Sequence, residues 1–439
     1  MRKKRGFQRV AIILSVFALI LSGCMNSKGS EQAENKKKEN EQIVLKVAWW
    51  GNDGRKERTL KVIDLFESKY PNIKIEPIEA SNSDYWILLA SKAADQDFPD
   101  VIQMDYKYID GYIKRKLIMP LDDLVKAGKL NISDMIDSSV ASATFYDHLY
   151  GISTGVNAQS MMYNPEIFDQ TGVAVPQPSY TYEDLTATAK ELKDKVDKDD
   201  FYPIGSAGLD FAYYLRQNGA NLYNKDGNAL GYEQDELLSK FFEMEKMLVD
   251  EGLMVPPDII NKISSDKDSL IANKLAAFHS ITSNNVISYN KFSGVDMQLL
   301  PLPSMQGGKE ANYVKPSMFF SISAYTEHAE ASAQFIDFFF NNLDANDILL
   351  GERGVPASDK VSKHIQQKLE DRDKVQYEYM EYVEKHSSPI DPPAPLISTN
   401  INILFNTVRN QMLDGQITPT EAAQKFRDGA KEIFAQNNE

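Results

Sequence analysis

From residue 43 onward the chain alternates short apolar runs with amphipathic stretches. Residues 43–47 (IVLKV) are apolar and β-branched, predicting a strand that reaches Trp49 and Trp50 and breaks at Gly51. Residues 55–70 place Leu60, Ile63 and Phe66 on one stripe and predict a helix that Pro71 stops. A second strand follows at 72–76, where polar and apolar residues alternate, then a helix at 83–94 that opens with Asp84, Tyr85 and Trp86. A third strand, 99–105, carries Asp105 at its carboxyl end. Strand, helix, strand, helix, strand predicts a parallel sheet with right-handed crossovers. Asn52, Asp53 and Asp105 then share the rim where open α/β sheets bind ligands.

The pattern continues with a helix at 108–116 and a strand at 149–153 that leaves the first lobe. The stretch 155–164 (GVNAQSMMYN) crosses into a second lobe. Thr181 caps a long amphipathic helix, with Asp184 favourably placed against the helix dipole. Residues 211–220 form an aromatic helix containing Tyr214 and Arg216, and 235–249 form another helix with an acidic start. A strand is expected before Ser283, and 313–323 (YVKPSMFFSIS) returns as a strand to the first lobe. Residues 331–340 predict a buried helix, 351–356 (GERGVP) a tight polar loop, and the remainder is helical with a break at 389–395.

The first forty residues belong to export, not to the fold. Arg2, Lys3, Lys4, Arg5 and Arg9 precede an apolar run at 10–21 that is too short to span a bilayer, the pattern of a signal peptide. It ends in Leu21-Ser22-Gly23-Cys24, which resembles a bacterial lipobox, and Cys24 is the single cysteine. Residues 25–42 hold almost nothing apolar and read as a flexible tether. Removing the n-region's five positive charges takes the formal charge from −15 to −20. That balance argues against nucleic acid as a partner. With 439 residues, 42% apolar, the mature chain is long enough for at least two cores.

The five histidines have no zinc spacing, and no Walker loop or Gly-x-Gly-x-x-Gly occurs. Carboxylates are numerous, so composition alone leaves a glycosidase dyad open. No cofactor or metal is expected. The polar candidates are Asn52, Asp53, Asp84, Asp105, Asn157, Arg216, Ser283, Lys315 and Arg353, each of which has a solvated or capping role as its alternative. Trp50 and Trp86 suit the C–H face of a sugar ring, but they suit a core equally well.

Taken in order, several motifs resemble the extracellular solute-binding proteins of family 1, which serve carbohydrate ABC importers. They are the lipobox, Trp49-Trp50-Gly51, 98–102 (FPDVI) leading to Asp105, the 150–164 crossing, 315–318 (KPSM) and 351–356 (GERGVP). The likeness covers nearly the whole chain. The WWG, KPSM and GERGVP combination is most similar to lipoproteins of Gram-positive pectin-utilisation systems that bind rhamnogalacturonan-derived oligosaccharides.

The resemblance implies an α/β, two-lobe, periplasmic-binding-protein-like fold of the class II type, with hinge strands and a helical C-terminal region. Its parts would be a signal peptide (1–23), a lipidated Cys24 with tether (24–42), and an N-terminal lobe (43–153). A C-terminal lobe (154–312), a return segment (313–360) and C-terminal helices packing on the lobes (361–439) would follow. It implies no enzyme activity but capture of an oligosaccharide between the lobes and delivery to permease transmembrane subunits. A monomer held by a lipid on the outer face of a Gram-positive cell membrane is expected. A surface-anchored polysaccharide lyase or glycoside hydrolase is the alternative, as is a sugar sensor for a signalling partner. Carried over to this chain, Trp50 would stack, and Asn52, Asp53 and Asp105 would bind hydroxyls. Asn157 stands where many relatives carry an acid. Ser283 stands where some place a stacking Trp, for which Tyr214 or Trp86 would compensate. Arg216, Lys315 and Arg353, with Ser317 of the KPSM motif beside them, would meet the carboxylates of uronic acids.

Overall fold

The computed structural model describes residues 42–437 except 96 and 207, so the signal peptide, Cys24 and nearly all of the tether lie outside the described residues. Strand β1 (Ile43–Trp50), helix α1 (Asp53–Lys69), strand β2 (Ile73–Ala80), helix α2 (Asn82–Ala94), strand β3 (Val101–Met104) and helix α3 (Tyr106–Lys114) follow in the predicted order. β1 pairs in parallel with β2 and with β3, as the alternation of strands and helices requires. β2 runs past residue 76 to Ala80 and carries Pro77 within it. Its edge position tolerates the missing N–H.

The next strands are β4 (Ile152–Asn157) and β5 (Gln159–Tyr163). Helix α4 (Tyr182–Lys195) starts on a capping box in which Thr181 and Asp184 satisfy each other's backbone N–H. Helices α5 (Phe211–Gln217) and α6 (Asp235–Asp250) and strands β6 (Phe278–Thr282), β7 (Gln298–Leu300) and β8 (Lys315–Ile322) come next. Helices α7 (Ala329–Asn341), α8 (Asp371–Lys385), α9 (Ser398–Leu413) and α10 (Pro419–Asn437) complete the main elements.

Apart from a short two-stranded hairpin at 144–149, the strands form two separate sheets, one per lobe. The larger runs β2-β1-β3-β8-β4, with β8 antiparallel to both its neighbours; the smaller runs β6-β5-β7. β8 therefore does return to the first sheet. β4 also belongs there, pairing Asn157 with Lys315, so the chain crosses after Asn157 and not at the expected boundary of 153/154.

Each lobe has its own buried apolar cluster. The first gathers β1, β3, β8, the Phe335–Phe339 face of α7 and residues Tyr377 to Val383 of α8. In the second lobe, Phe211, Tyr214, Phe241 and Phe242 pack against Val408, Met412 and Phe426 of α9 and α10. Gly354 shows why its loop needs glycine: φ is +102°, and a Cβ there would lie 2.9 Å from the Asn157 side-chain oxygen.

Candidate functional site

On the first-lobe rim, the polar residues picked from the sequence turn out to be helix caps. Asn52 Oδ1 accepts the Arg55 N–H at 3.0 Å, and Asp105 Oδ1 accepts the Lys107 N–H at 2.8 Å, starting α1 and α3. Asp84 accepts the Ser81 hydroxyl at 2.7 Å, while Ser81 caps α2. Asp53 is exposed in the first turn of α1. Trp50 is buried at 7% exposure, tilted against Tyr85 and Trp86 at centroid distances of 5.2 and 5.3 Å. Its indole is thus closed to a ring in this conformation, and the more open Trp86 is the aromatic that reaches the surface there.

Two of the three expected cations are occupied. Arg353 is 4% exposed; its Nε donates to Gln103 Oε1 at 3.2 Å and its Nη2 to Thr59 Oγ1 at 2.9 Å. Glu352 bridges Arg353 to Arg55, at 3.0 and 2.7 Å. Burial pulls the Arg353 guanidinium down to about 9, with Glu352 opposing the shift, so it remains charged at neutral pH. Arg216 donates to the Ala311 carbonyl at 2.7 Å, the Pro389 carbonyl at 2.9 Å and Ser388 Oγ at 2.6 Å, and pairs with Asp391. Both guanidiniums are thus enclosed by protein partners in this conformation. Lys315 stays exposed, and Ser317 donates to the Gly155 carbonyl at 2.9 Å.

The remaining candidates are likewise built into the fold. Ser283 is 1% exposed and accepts the Ala158 N–H at 3.1 Å. Tyr214 packs among Tyr182, Phe211 and Phe241. Asn157 is buried beside Gly354, and its Oδ1 has no hydrogen-bond partner.

A pocket of about 550 Å³ opens instead within the second lobe, in the size range of a small-molecule site. None of the thirteen candidate residues lines it. Its walls come from Gln159 at the start of β5, residues 208–212 at the entry and first turn of α5, the 279–282 end of β6, and α9 and α10. Phe405 packs on the buried Phe211 with planes 15° apart and centroids at 5.8 Å, and, half-buried itself, supplies flat apolar surface. Asp210 caps α5 through the Tyr213 N–H at 3.0 Å; burial raises its carboxyl group, while the backbone bonds and Arg216 oppose the rise. His279 Nδ1 is buried, its Nε2 lies 3.4 Å from the Tyr289 hydroxyl, and the ring also meets the Gly205 backbone. Burial holds this imidazole below the usual histidine range, so it is neutral and can both donate and accept.

A buried ion pair supports the pocket's floor. Glu245 of α6, fully buried, takes Arg409 of α9 through two bonds of 2.7 and 3.2 Å. The same carboxylate accepts the Leu209 N–H at 2.8 Å, and a Cβ on Gly208 would strike Arg409 Nη2 at 2.5 Å. The loop is therefore pinned from below by contacts between residues far apart in sequence. Sequence reasoning missed Gln159, Asp210, Phe211, His279 and Asn402. The one local signal was an acid placed immediately before an aromatic helix.

The model of the bacterial extracellular solute-binding proteins matches residues 53–342. An uncharacterised ABC transporter extracellular-binding protein of Pyrococcus horikoshii is 30% identical over 190 residues, 42% of this chain. The matched stretches span only 42% and 45% of the curated relatives' own lengths. A solved family 1 extracellular solute-binding protein of Alicyclobacillus acidocaldarius superposes with a TM-score of 0.80 at 26% identity, over 90% of this chain and 99% of that one. A periplasmic oligogalacturonide binding protein of Yersinia enterocolitica gives 0.75 at 22%, over 90% and 99%. Among the described residues no helix is long and apolar enough to cross a membrane, and no group of side chains is arranged to hold a metal ion. Two α/β lobes with a pocket in the second, and a family match over most of the chain, lead to one conclusion: this chain belongs to the bacterial extracellular solute-binding proteins.

Proposed function

We propose that this protein captures an oligosaccharide between its lobes, without altering it, and delivers it to an ABC permease. The second-lobe pocket carries the reading: flat aromatic surface beside amide, carboxylate and imidazole groups is the chemistry a sugar ring requires. Stacking removes C–H faces from water at about 25 cal/mol per Å² of apolar area. Hydrogen bonds to carboxylates such as Asp210 then fix which hydroxyls fit. Asn52, Asp53, Asp84, Trp86 and Asp105 form the facing lip on the first lobe. Each cap there uses one atom of its group and leaves the other for a hydroxyl. Closure of the lobes on the sugar and docking of the closed form complete the cycle.

The finer reading is a monomer anchored by diacylated Cys24 on the outer face of a Gram-positive membrane, taking pectin fragments of the rhamnogalacturonan type. The lipobox-like sequence and the oligogalacturonide named for a relative of the same fold support it. Lys315 is the exposed cation left for a uronate on such a chain. Equilibrium dialysis against a pectin digest, with mass spectrometry of what is retained, tests the reading. Oligosaccharides recovered intact and enriched agree with it; shortened or unsaturated products would replace capture by hydrolysis or lyase chemistry.

A further inference from the structure

We propose, building on the oligosaccharide-capture reading, that the second-lobe pocket seats an uncharged saccharide unit and turns away a uronate there. The charge of the walls carries this. Asp210 and Asp266 both line the cavity, and no lysine or arginine does. Two guanidiniums approach the pocket, and both are neutralised by internal partners. Arg409 lies under Gly208 but is held by both oxygens of Glu245, and Arg216 of α5 is paired with Asp391.

A uronate carboxylate entering this space would lose water, meet two carboxylates and find no cation. Like charges brought together in this way oppose binding strongly. A hydroxyl finds the opposite situation. Asp210 accepts from it, and the exposed Asn402 amide on the pocket wall can donate or accept. Phe405 accepts a ring face of either kind, so selection falls to the polar walls. On a mixed pectin fragment the neutral unit occupies this pocket and the uronate lies outside it. The rule separates this chain from a binder of pure oligogalacturonides even though the fold is shared.

Calorimetric titration of the protein with three probes of matched length decides the matter: a neutral galactan oligosaccharide, a mixed rhamnogalacturonan oligosaccharide and a homogalacturonan oligosaccharide. The neutral or mixed probe should bind at least about tenfold more tightly than the all-uronate one. Raising sodium chloride from about 20 to about 300 mM should strengthen the residual uronate binding, because salt screens repulsion. Asp266→Lys, at an exposed position, should raise the uronate-to-neutral affinity ratio at least about fivefold. An all-uronate probe that binds most tightly and weakens with salt would overturn the charge rule while leaving capture intact. So would an unchanged ratio in Asp266→Lys. Absence of binding by all three probes would overturn capture itself, and this rule with it.

Discussion

The two lobes hold polar residues at helix starts for different reasons. On the first-lobe rim, Asn52 and Asp105 stand where β1 and β3 stop, and each begins the next helix by accepting a backbone N–H. The Trp50 indole behind them is closed in by Tyr85 and Trp86. In the second lobe, Asp210 also caps a helix, but the loop that carries it is pinned by Glu245 and Arg409 and faces a cavity. Strand ends thus place polar groups by local rule. A pocket needs distant residues to hold a loop away from the core.

That contrast can be broken in several places. The largest effect expected is on the first lobe, where Trp50→Ala should cost about 3–5 kcal/mol of stability by opening a cavity under the rim. Denaturant unfolding measures it. Glu245→Ala should come next, at about 3–5 kcal/mol, because it leaves Arg409 buried without its partner and frees the Leu209 N–H. Unlike Trp50→Ala, it should also abolish sugar binding under conditions where the protein remains folded.

Asn402→Ala sharpens the same distinction, since Asn402 is exposed on the pocket wall. Affinity should fall about tenfold, the loss of one directed hydrogen bond, with the unfolding midpoint unmoved. Asp105→Ala should cost about 1 kcal/mol of stability through the lost cap as well as weakening binding, while Asp105→Asn retains the cap.

The smallest effect is electrostatic. Lys46 and Lys92 hold the Asp97 carboxyl down at about 2. A depressed carboxyl stabilises the fold above its unfolded value near 3.8, and the contribution is lost as pH falls from there through about 2. Asp97 is half exposed, so Asp97→Asn should flatten the acid limb of a stability–pH curve only slightly.

Much of the architecture could be read along the chain because the rules involved are local. The β-branched run at 43–47, the stop at Pro71 and the Thr181–Asp184 capping box each act within a few residues. The return of β8 was readable from the apolar 313–323 stretch. The site was far less legible. Arg216 and Arg353 looked free because their partners lie 175 residues away at Asp391 and 250 and 294 away at Gln103 and Thr59. Phe405 and Phe426 line the pocket only because α9 and α10 pack back on α5 and α6, which no local pattern announces. His279 read as one of five scattered histidines until β6 placed it in the wall of the same cavity as Asp210.

Diffraction from crystals grown with a neutral or mixed oligosaccharide tests the central claim most directly. The account predicts a sugar ring lying on Phe405 within the second-lobe pocket, with hydroxyls on Asp210 and Asn402. A saccharide held by the first-lobe rim alone, above an empty second-lobe cavity, would contradict it.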